Sequence, residues 1–410
     1  MRKPIIRKEY FWFSYYNPTT LSHSYITDEL AKSLITQNKV DIIKTRYEGK
    51  IENILVAPIR VYYEATKKCN LSCRTCFNSS GKESTNQIHS KEVIKILEWF
   101  RKDWVLDIRF TWWEFTQREW RDDILKSAKN LWFIVSLNTN GVFESNDVIQ
   151  KLAELNLDQI TISIDWREES HNKIRTWWNW NNFVQAINSI KQLSSLWANV
   201  RINTVLNNEN YHDVPKILDF AGQYCQEINF FAMRHIWRAN WSIKKNSLNR
   251  ESFDIISKEI AKIKKKYPNL HTLYWHQIMQ DASINPENEY WLKYWAPDWL
   301  TRFNITDNWD LYAWWYTPYI NKDSLLLKLG NAKDEWYSLL KTWHESEKLN
   351  RLRIQSWKLK DICAVCEYKK TLECPWWIFE MELQKAFWEI DNNPYCSKDL
   401  NFIDINSLPK

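Results

Sequence analysis

Glycine is almost missing from this chain, with 5 residues in 410 where about 7% is ordinary. A fold that turns tightly needs glycine wherever the backbone takes positive φ or another group approaches closely. Tryptophan is in excess, with 27 residues, so that the two types together come close to the ~7% usual for glycine alone. Many tryptophans also sit in turn-like places. Trp-Trp pairs occur at Trp112-Trp113, Trp177-Trp178, Trp314-Trp315 and Trp376-Trp377, and Trp309 occupies the turn of ITDNWDLYA, where DNGD would make an ordinary hairpin. A bulky indole cannot do the work of a residue chosen for positive φ. Most of these positions therefore read as glycine in the native protein, written as tryptophan because a reassigned UGA codon was decoded with the wrong table.

Other absences narrow the class. No apolar run approaches the ~18 residues that a spanning helix needs, and the basic start, MRKPIIRKEYFWFSYY, lacks the apolar core and cleavage site of a signal peptide. No membrane partner is expected. The net charge of +6 is spread along the chain, and the short run Lys264 to Lys266 reads as a solvated helix face, so no nucleic acid is expected either. Hydrophobic content of 44% and charged content of 26% suit a globular protein long enough for two or three domains. The 8 cysteines fall into a cluster of three, a cluster of four and the lone Cys225. That grouping suits metal sites in a reducing cytoplasm better than a disulfide framework.

From residue 58 to about 240, short β-rich runs alternate with longer amphipathic stretches, the pattern of repeated βα units around a parallel sheet. Strands are predicted at Arg60 to Ala65, Leu106 to Thr111, Phe133 to Asn138, Gln159 to Ile164, Val200 to Leu206 and Ile228 to Met233. The helices between them include Lys91 to Phe100, Asp122 to Lys129, Asp147 to Leu155, Asn182 to Leu193 and Val214 to Tyr224. The fold class is α/β.

Cys69, Cys73 and Cys76, in CNLSCRTCFNSS, form a Cys-x3-Cys-x2-Cys cluster just after the first predicted strand. Three thiolates on one loop can hold three irons of a cubane and leave the fourth iron open. A zinc knuckle usually needs a fourth Cys or His close by, and no His lies between Gly49 and Ile88. On this motif the chain resembles the radical S-adenosylmethionine (SAM) superfamily, whose cofactor chelates the open iron. It departs from the family at Thr75, where an aromatic residue is usual, with Phe77 just after.

The resemblance implies a partial (βα)6 barrel resembling a TIM barrel, with a 4Fe–4S cluster and SAM at the carboxyl ends of its strands. FTWWEFT resembles the family's Gly-Gly-Glu motif if Trp112 and Trp113 are glycines, and Glu114 would then face the cofactor's amino group. Asn138, Ser163 and Asn203 end the third to fifth strands with polar groups able to bond ribose or carboxylate, or to form local turns. Arg175 matches an Arg that often follows the fourth strand in relatives, with no role assigned.

Beyond the barrel, Cys363-x2-Cys366-x7-Cys374 and Cys396 could bind zinc or a second cluster. They resemble a SPASM-type auxiliary-cluster domain, which normally carries seven cysteines. Here Trp314 and Ile378 stand where that pattern has Cys, and an x7 gap replaces x5. The four that hold the outer auxiliary cluster remain, which implies a second 4Fe–4S cluster. The expected division is a segment at 1–57 that caps the barrel or binds a leader peptide, a barrel at 58–275 and a small metal-cluster domain at 276–410. The first segment reads as a short hairpin followed by a helix. The resemblance further implies a cytoplasmic oxidoreductase or maturase that forms a 5′-deoxyadenosyl radical to oxidise, cross-link or otherwise modify a peptide or protein. Flavodoxin or ferredoxin would serve as reductant. Action on a small molecule, or a non-catalytic zinc-containing peptide binder, are the alternatives.

Overall fold

The computed structural model describes residues 2–10, 12–45, 54–76, 80–81, 88–111, 114–175, 181–233, 248, 250–274, 301–313, 328–334 and 336–350. The N-terminal residues form a four-stranded sheet from β1 (Ile5–Lys8), β2 (Phe13–Asn17), β3 (Ser22–Ile26) and β4 (Asp41–Ile43), in the order β3-β2-β1-β4. The expected hairpin is β2 with β3, and the expected helix is α1 (Asp28–Thr36), whose first turn is capped by the Thr27 side chain. Strands β1 and β4, which pair in parallel, are additional to the sequence reading.

The larger sheet contains β5 (Arg60–Tyr63), β6 (Asp107–Phe110), β7 (Ile134–Thr139), β8 (Gln159–Ser163), β9 (Val200–Leu206), β10 (Glu227–Ala232), β11 (His271–Tyr274), β12 (Arg302–Ile305), β13 (Asp310–Tyr312) and β14 (Lys328–Asn331). Its order is β11-β10-β9-β8-β7-β6-β5-β12-β13-β14. Pairing is parallel from β11 through to β12, and the hairpin β12-β13 then adds antiparallel strands. The helices α2 (Ser90–Lys102), α3 (Arg121–Asn130), α4 (Asn146–Glu154), α5 (Glu168–Arg175), α6 (Asn182–Ser195), α7 (Val214–Tyr224) and α8 (Arg250–Lys266) lie between strands, giving a partial βα barrel. All six predicted barrel strands are present, and β11 and β12 lengthen the parallel run at its two edges.

Strand alternation gives this sheet two unlike faces. Val61, Tyr63, Ile108, Phe110, Val135, Leu137, Ile160, Ile162, Ile202, Ile228 and Phe230 join one buried apolar core with helix residues such as Val93, Leu97, Ile124, Leu152, Ile190 and Ile217. The alternate residues, including Tyr62, Arg109, Ser136, Asn138, Thr161, Arg201 and Asn203, make the inner face polar. The N-terminal sheet closes the amino ends of these strands. Buried Arg7 donates to the carbonyls of Ala57, Pro58 and Trp104 and to Glu9, while Tyr16 and Arg60 both donate to Asp107 Oδ2.

The helix ends explain the glycine deficit. Helices α2, α3 and α6 are each followed, one residue past the cap, by a tryptophan at positive φ: Trp104 at 60°, Trp132 at 65° and Trp197 at 62°. In each case this residue's N–H returns to one carbonyl of the last turn and the next residue's N–H to an earlier one: Trp104 to Arg101 and Val105 to Phe100, Trp132 to Lys129 and Phe133 to Ala128, Trp197 to Ser194 and Ala198 to Leu193. This double closure is the Schellman motif, whose left-handed position is normally glycine. Asn156, the other residue type tolerated there, stands past the cap of α4 at 47°. Trp132 and Trp197 gain nothing from packing, being 71% and 93% exposed. Trp309 differs: its φ is 71°, yet its ring is buried and stacked on Tyr63, with an indole N–H that finds no acceptor. Trp343, in the helix Leu340–Glu345, is buried with its N–H donated to Leu55, as a native indole would be.

Trp132→Gly and Trp197→Gly are each expected to stabilise the chain by about 1–2 kcal/mol in chemical denaturation, the cost of a left-handed non-glycine residue. Peptide sequencing of the protein from its own host is expected to read glycine at 104, 132 and 197. Tryptophan at all three would overturn the codon reading.

Candidate functional site

The loop carrying Cys69, Cys73 and Cys76 leaves the carboxyl end of β5. It is anchored at both sides: Cys69 N donates to Gly81 O, and Arg74 N donates to Ile174 O at the end of α5. Backbone amides approach two of the sulfurs, Leu71 N at 3.4 Å from Cys69 and Ser80 N at 3.3 Å from Cys76, and the Ser80 hydroxyl lies 2.9 Å from Cys76. Such N–H···S contacts favour thiolate ligands in iron–sulfur sites. Burial, then neighbouring Cys73 and Glu114, push the Cys69 thiol well above its ordinary range, so a cation is needed to draw out its proton. Among the described residues no three His, Cys, Asp or Glu side chains are gathered to hold a single metal ion. A cubane asks less convergence, because each thiolate meets its own iron. The donor set fits such a cluster.

Glu114 lies at the carboxyl end of β6, buried, with its N–H donated to Lys68 O beside the cysteine loop. Its Oε1 accepts from the Thr116 hydroxyl at 2.6 Å, the Thr139 hydroxyl at 2.7 Å and Thr116 N at 3.4 Å, while Oε2 accepts from Asn140 N at 2.7 Å. Burial raises its pKa and these donors oppose the rise. An ammonium directed at this carboxylate would have to compete with hydroxyls already in place. Asn140 also donates to Asn70 Oδ1 at 2.7 Å, and Asn70 Nδ2 donates to Val142 O at 2.8 Å. The end of β7 is thereby tied to the loop between Cys69 and Cys73. Asn70, Thr116, Thr139 and Asn140 were not singled out from the sequence; the polar run SLNTNG hints at Thr139 and Asn140 only.

Asn138 and Ser163 lie at the carboxyl ends of β7 and β8, whereas Asn203 stands at the middle of β9 and not at its end, because β9 runs on to Leu206; Ser163 is in register with it. Asn138 Nδ2 donates to the Thr111 hydroxyl at 2.7 Å, while the Oδ1 atoms of Asn138 and Asn203 are buried without a partner. Asn229, in register with Asn203, has an unpartnered Oδ1 as well. Arg175 binds Asp165 at 2.9 Å, and although burial works against its charge, Asp165, Cys73 and Cys76 together raise its pKa. It is thus a buried cation facing two of the cluster cysteines. Trp112, Trp113, Cys363, Cys366, Cys374 and Cys396 lie outside the described residues.

Residues 63–221 match the Radical SAM superfamily. Over this segment, well under half of its length, the chain is similar to the radical SAM superfamily. It is 26% identical over 171 residues to the sporulation killing factor maturation protein SkfB of Bacillus subtilis, covering 42% of this chain and 41% of that protein. It is 25% identical over 187 residues to the mycofactocin maturase MftC of Mycobacterium tuberculosis, covering 45% and 47%. The chain thus matches less than half the length of these two relatives. In fold it is similar to Streptococcus suis SuiB bound to the precursor peptide SuiA, with a TM-score of 0.70 at 16% identity over 97% of this chain and 98% of that one. It is also similar to anSMEcpe with bound AdoMet, at 0.61 and 15% over 84% and 98%.

Thr139→Val removes one donor from the buried Glu114 carboxylate, which raises that group's pKa further. The variant is expected to be less stable by about 1–3 kcal/mol at pH 7. The carboxyl, its pKa already raised by burial, protonates in the folded chain at a higher pH than an ordinary glutamate, so the deficit should shrink as pH falls to 4.5. Urea titrations at both pH values check this; an equal deficit at both would show that the bond to the charged form is not what the hydroxyl supplies.

Proposed function

We propose that this chain is a radical SAM enzyme that modifies a peptide or protein. The observation that supports this most directly is the Cys-x3-Cys-x2-Cys loop at the carboxyl end of the first barrel strand, inside the segment that matches the superfamily. Cys69, Cys73 and Cys76 would hold a 4Fe–4S cluster, which when bound supplies the electron that splits SAM to a 5′-deoxyadenosyl radical. Arg175 places positive charge beside Cys73 and Cys76, and the Asn140–Asn70 contact holds the loop against β7. Trp112, Trp113, Glu114, Asn138, Ser163 and Asn203 are the proposed cofactor-binding residues, with the Asn138 and Asn203 carbonyl oxygens available to ribose hydroxyls or the cofactor's ammonium.

The peptide substrate is inferred from relatives that are named maturases and from SuiB, whose structure holds a precursor peptide. Residues 1–57 would form the cap or leader-binding segment, 58–275 the barrel and 276–410 an auxiliary domain in which Cys363, Cys366, Cys374 and Cys396 hold a second 4Fe–4S cluster. Flavodoxin or ferredoxin in the cytoplasm is the fitting electron donor. No helix among the described residues is long and apolar enough to cross a membrane.

Anaerobically reconstituted protein is expected to carry about eight irons, two cubanes, and to form 5′-deoxyadenosine from SAM under a reductant. Cys69→Ala, Cys73→Ala and Cys76→Ala should each abolish that product. Cleavage at the parent rate in the triple variant would overturn the assignment, and four irons with one zinc would make the C-terminal site a zinc staple.

A further inference from the structure

The inner face of the barrel carries a registered row of polar residues that the cysteine loop does not use. Asn304 on β12, Tyr62 on β5, Arg109 on β6, Ser136 on β7 and Gln159 on β8 are direct partners across consecutive parallel strands, so their side chains share one face. The outer face at this level is taken by apolar neighbours such as Val61, Ile108, Val135 and Ile160, all in the core.

Arg109 sits at the middle of this row. It is 7% exposed, and among the described residues no hydrogen bond or ion pair reaches it; its Nε is buried without a partner. Its guanidinium lies 5.6 Å from the centre of the Tyr62 ring, an aromatic platform that orients a cation without neutralising it. The nearby charges are already engaged. Arg60 pairs with Asp107, and Arg201 with Glu227 at 3.3 Å. Burial, followed by repulsion from Arg60 and Arg201, lowers the Arg109 pKa to about 10, so it remains charged at neutral pH. Its row neighbours are unspent as well: Asn304 Nδ2 and Oδ1, and the Ser136 hydroxyl, are buried with no partner. The carboxylates that act on it at a distance, Asp107 and Glu227, are each paired with another arginine, and a buried cation with no carboxylate in contact is costly to a fold. Arg109 and its neighbour Ser136, with Asn304 on the far side of Tyr62, are donors on one face that only a negative group would satisfy together.

We propose that Arg109, with Asn304 and Ser136, binds a carboxylate of the peptide substrate on the inner face of the barrel. A single negative charge matches the one charge that Arg109 brings, whereas a phosphate dianion would leave a surplus. The planar guanidinium fork also matches a carboxylate's two oxygens. The row runs from β12 through β5, β6 and β7 to β8, amino-terminal to Asn138 on β7 and to Thr111 and Glu114, which follow β6. A residue anchored there by its carboxylate would rise toward the carboxyl ends that carry the cysteine loop. This inference rests on the peptide-modifying function proposed above and adds to it an acidic side chain or a free carboxyl terminus as the group recognised.

The test is thermal denaturation of the full chain with three small probes. N-acetylglutamate α-amide carries only a side-chain carboxylate, N-acetylglutamine only an α-carboxylate, and N-acetylglutamine amide neither. At tens of millimolar, at least one carboxylate probe is expected to raise the Tm by about 2 °C or more through linkage, while the neutral probe does not. Which one succeeds identifies the source of the carboxylate, and equal success means that the site reads the group alone. In Arg109→Gln the response should vanish. The Tm without probe should be unchanged or higher, because an unpaired buried charge has been removed. Asn304→Ala and Ser136→Ala should each weaken the response severalfold, which keeps the test valid should Arg109→Gln not fold. No response from either carboxylate, or an undiminished response in Arg109→Gln, overturns the proposal. Absence of 5′-deoxyadenosine formation by the parent chain would instead sink the function on which it rests, and would leave these binding results standing.

Discussion

The arrangement of the candidate site depends on one buried carboxylate. Glu114 is removed from water, which disfavours its charged form, and only donors from Thr116, Thr139 and Asn140 offset that cost. Those donors come from two separate segments, the turn after β6 and the end of β7, so neither can shift without leaving a charge unpaired. Asn140 passes the constraint on to Asn70, between the first two cysteines. The cysteine loop has little regular structure of its own, so its shape is set from outside, by this chain of contacts and by the anchor from Arg74 to α5.

The two ends of the barrel treat polar groups differently. At the amino ends, Arg7 is satisfied by three carbonyls and Glu9, and Tyr16 and Arg60 both donate to Asp107 Oδ2, although Asp107 Oδ1 and Arg201 Nε are buried without a partner. From the Arg109 row toward the carboxyl ends, buried atoms on Ser136, Asn138, Thr161, Asn203, Asn229 and Asn304 have no partner. Each such atom costs about 1–3 kcal/mol if nothing binds it. Local rules are broken in this way where function, not folding, has chosen the residue.

The barrel was legible because its strands and helices carry their own signals. Val200–Leu206 and Val214–Tyr224 were read to the residue; the first alternates clearly, and the second has Pro215 in its first turn and an apolar stripe. Strands β1, β4, β11 and β14 were not read, and β12 was read only as an arm of the hairpin turning at Trp309, not as a partner of β5. Each has only three or four residues, and each exists because a distant edge was available to pair with, which no local pattern encodes. The cysteine loop was legible from spacing alone. Thr139 and Asn140 were not, because a hydroxyl and an amide in a polar run look like turn formers until Glu114 is placed beside them from 25 residues away.

The tryptophans mark where sequence and backbone disagree, and the disagreement is selective. Three helices close with complete Schellman hydrogen bonds around an indole that the left-handed region disfavours, while α1 and α4 close with Asn38 and Asn156, which that region accepts. The surrounding pattern of caps and apolar stripes therefore determines the turn even when the residue at its centre opposes it. At about 1–2 kcal/mol each, the three would together cost about 3–6 kcal/mol, a large part of the ~5–15 kcal/mol that keeps a domain folded. A chain selected with these indoles would be expected to bury them or use them, as Trp343 is buried and bonded to Leu55. Trp132 and Trp197 are neither buried nor used, and the conflict disappears if both positions are glycine.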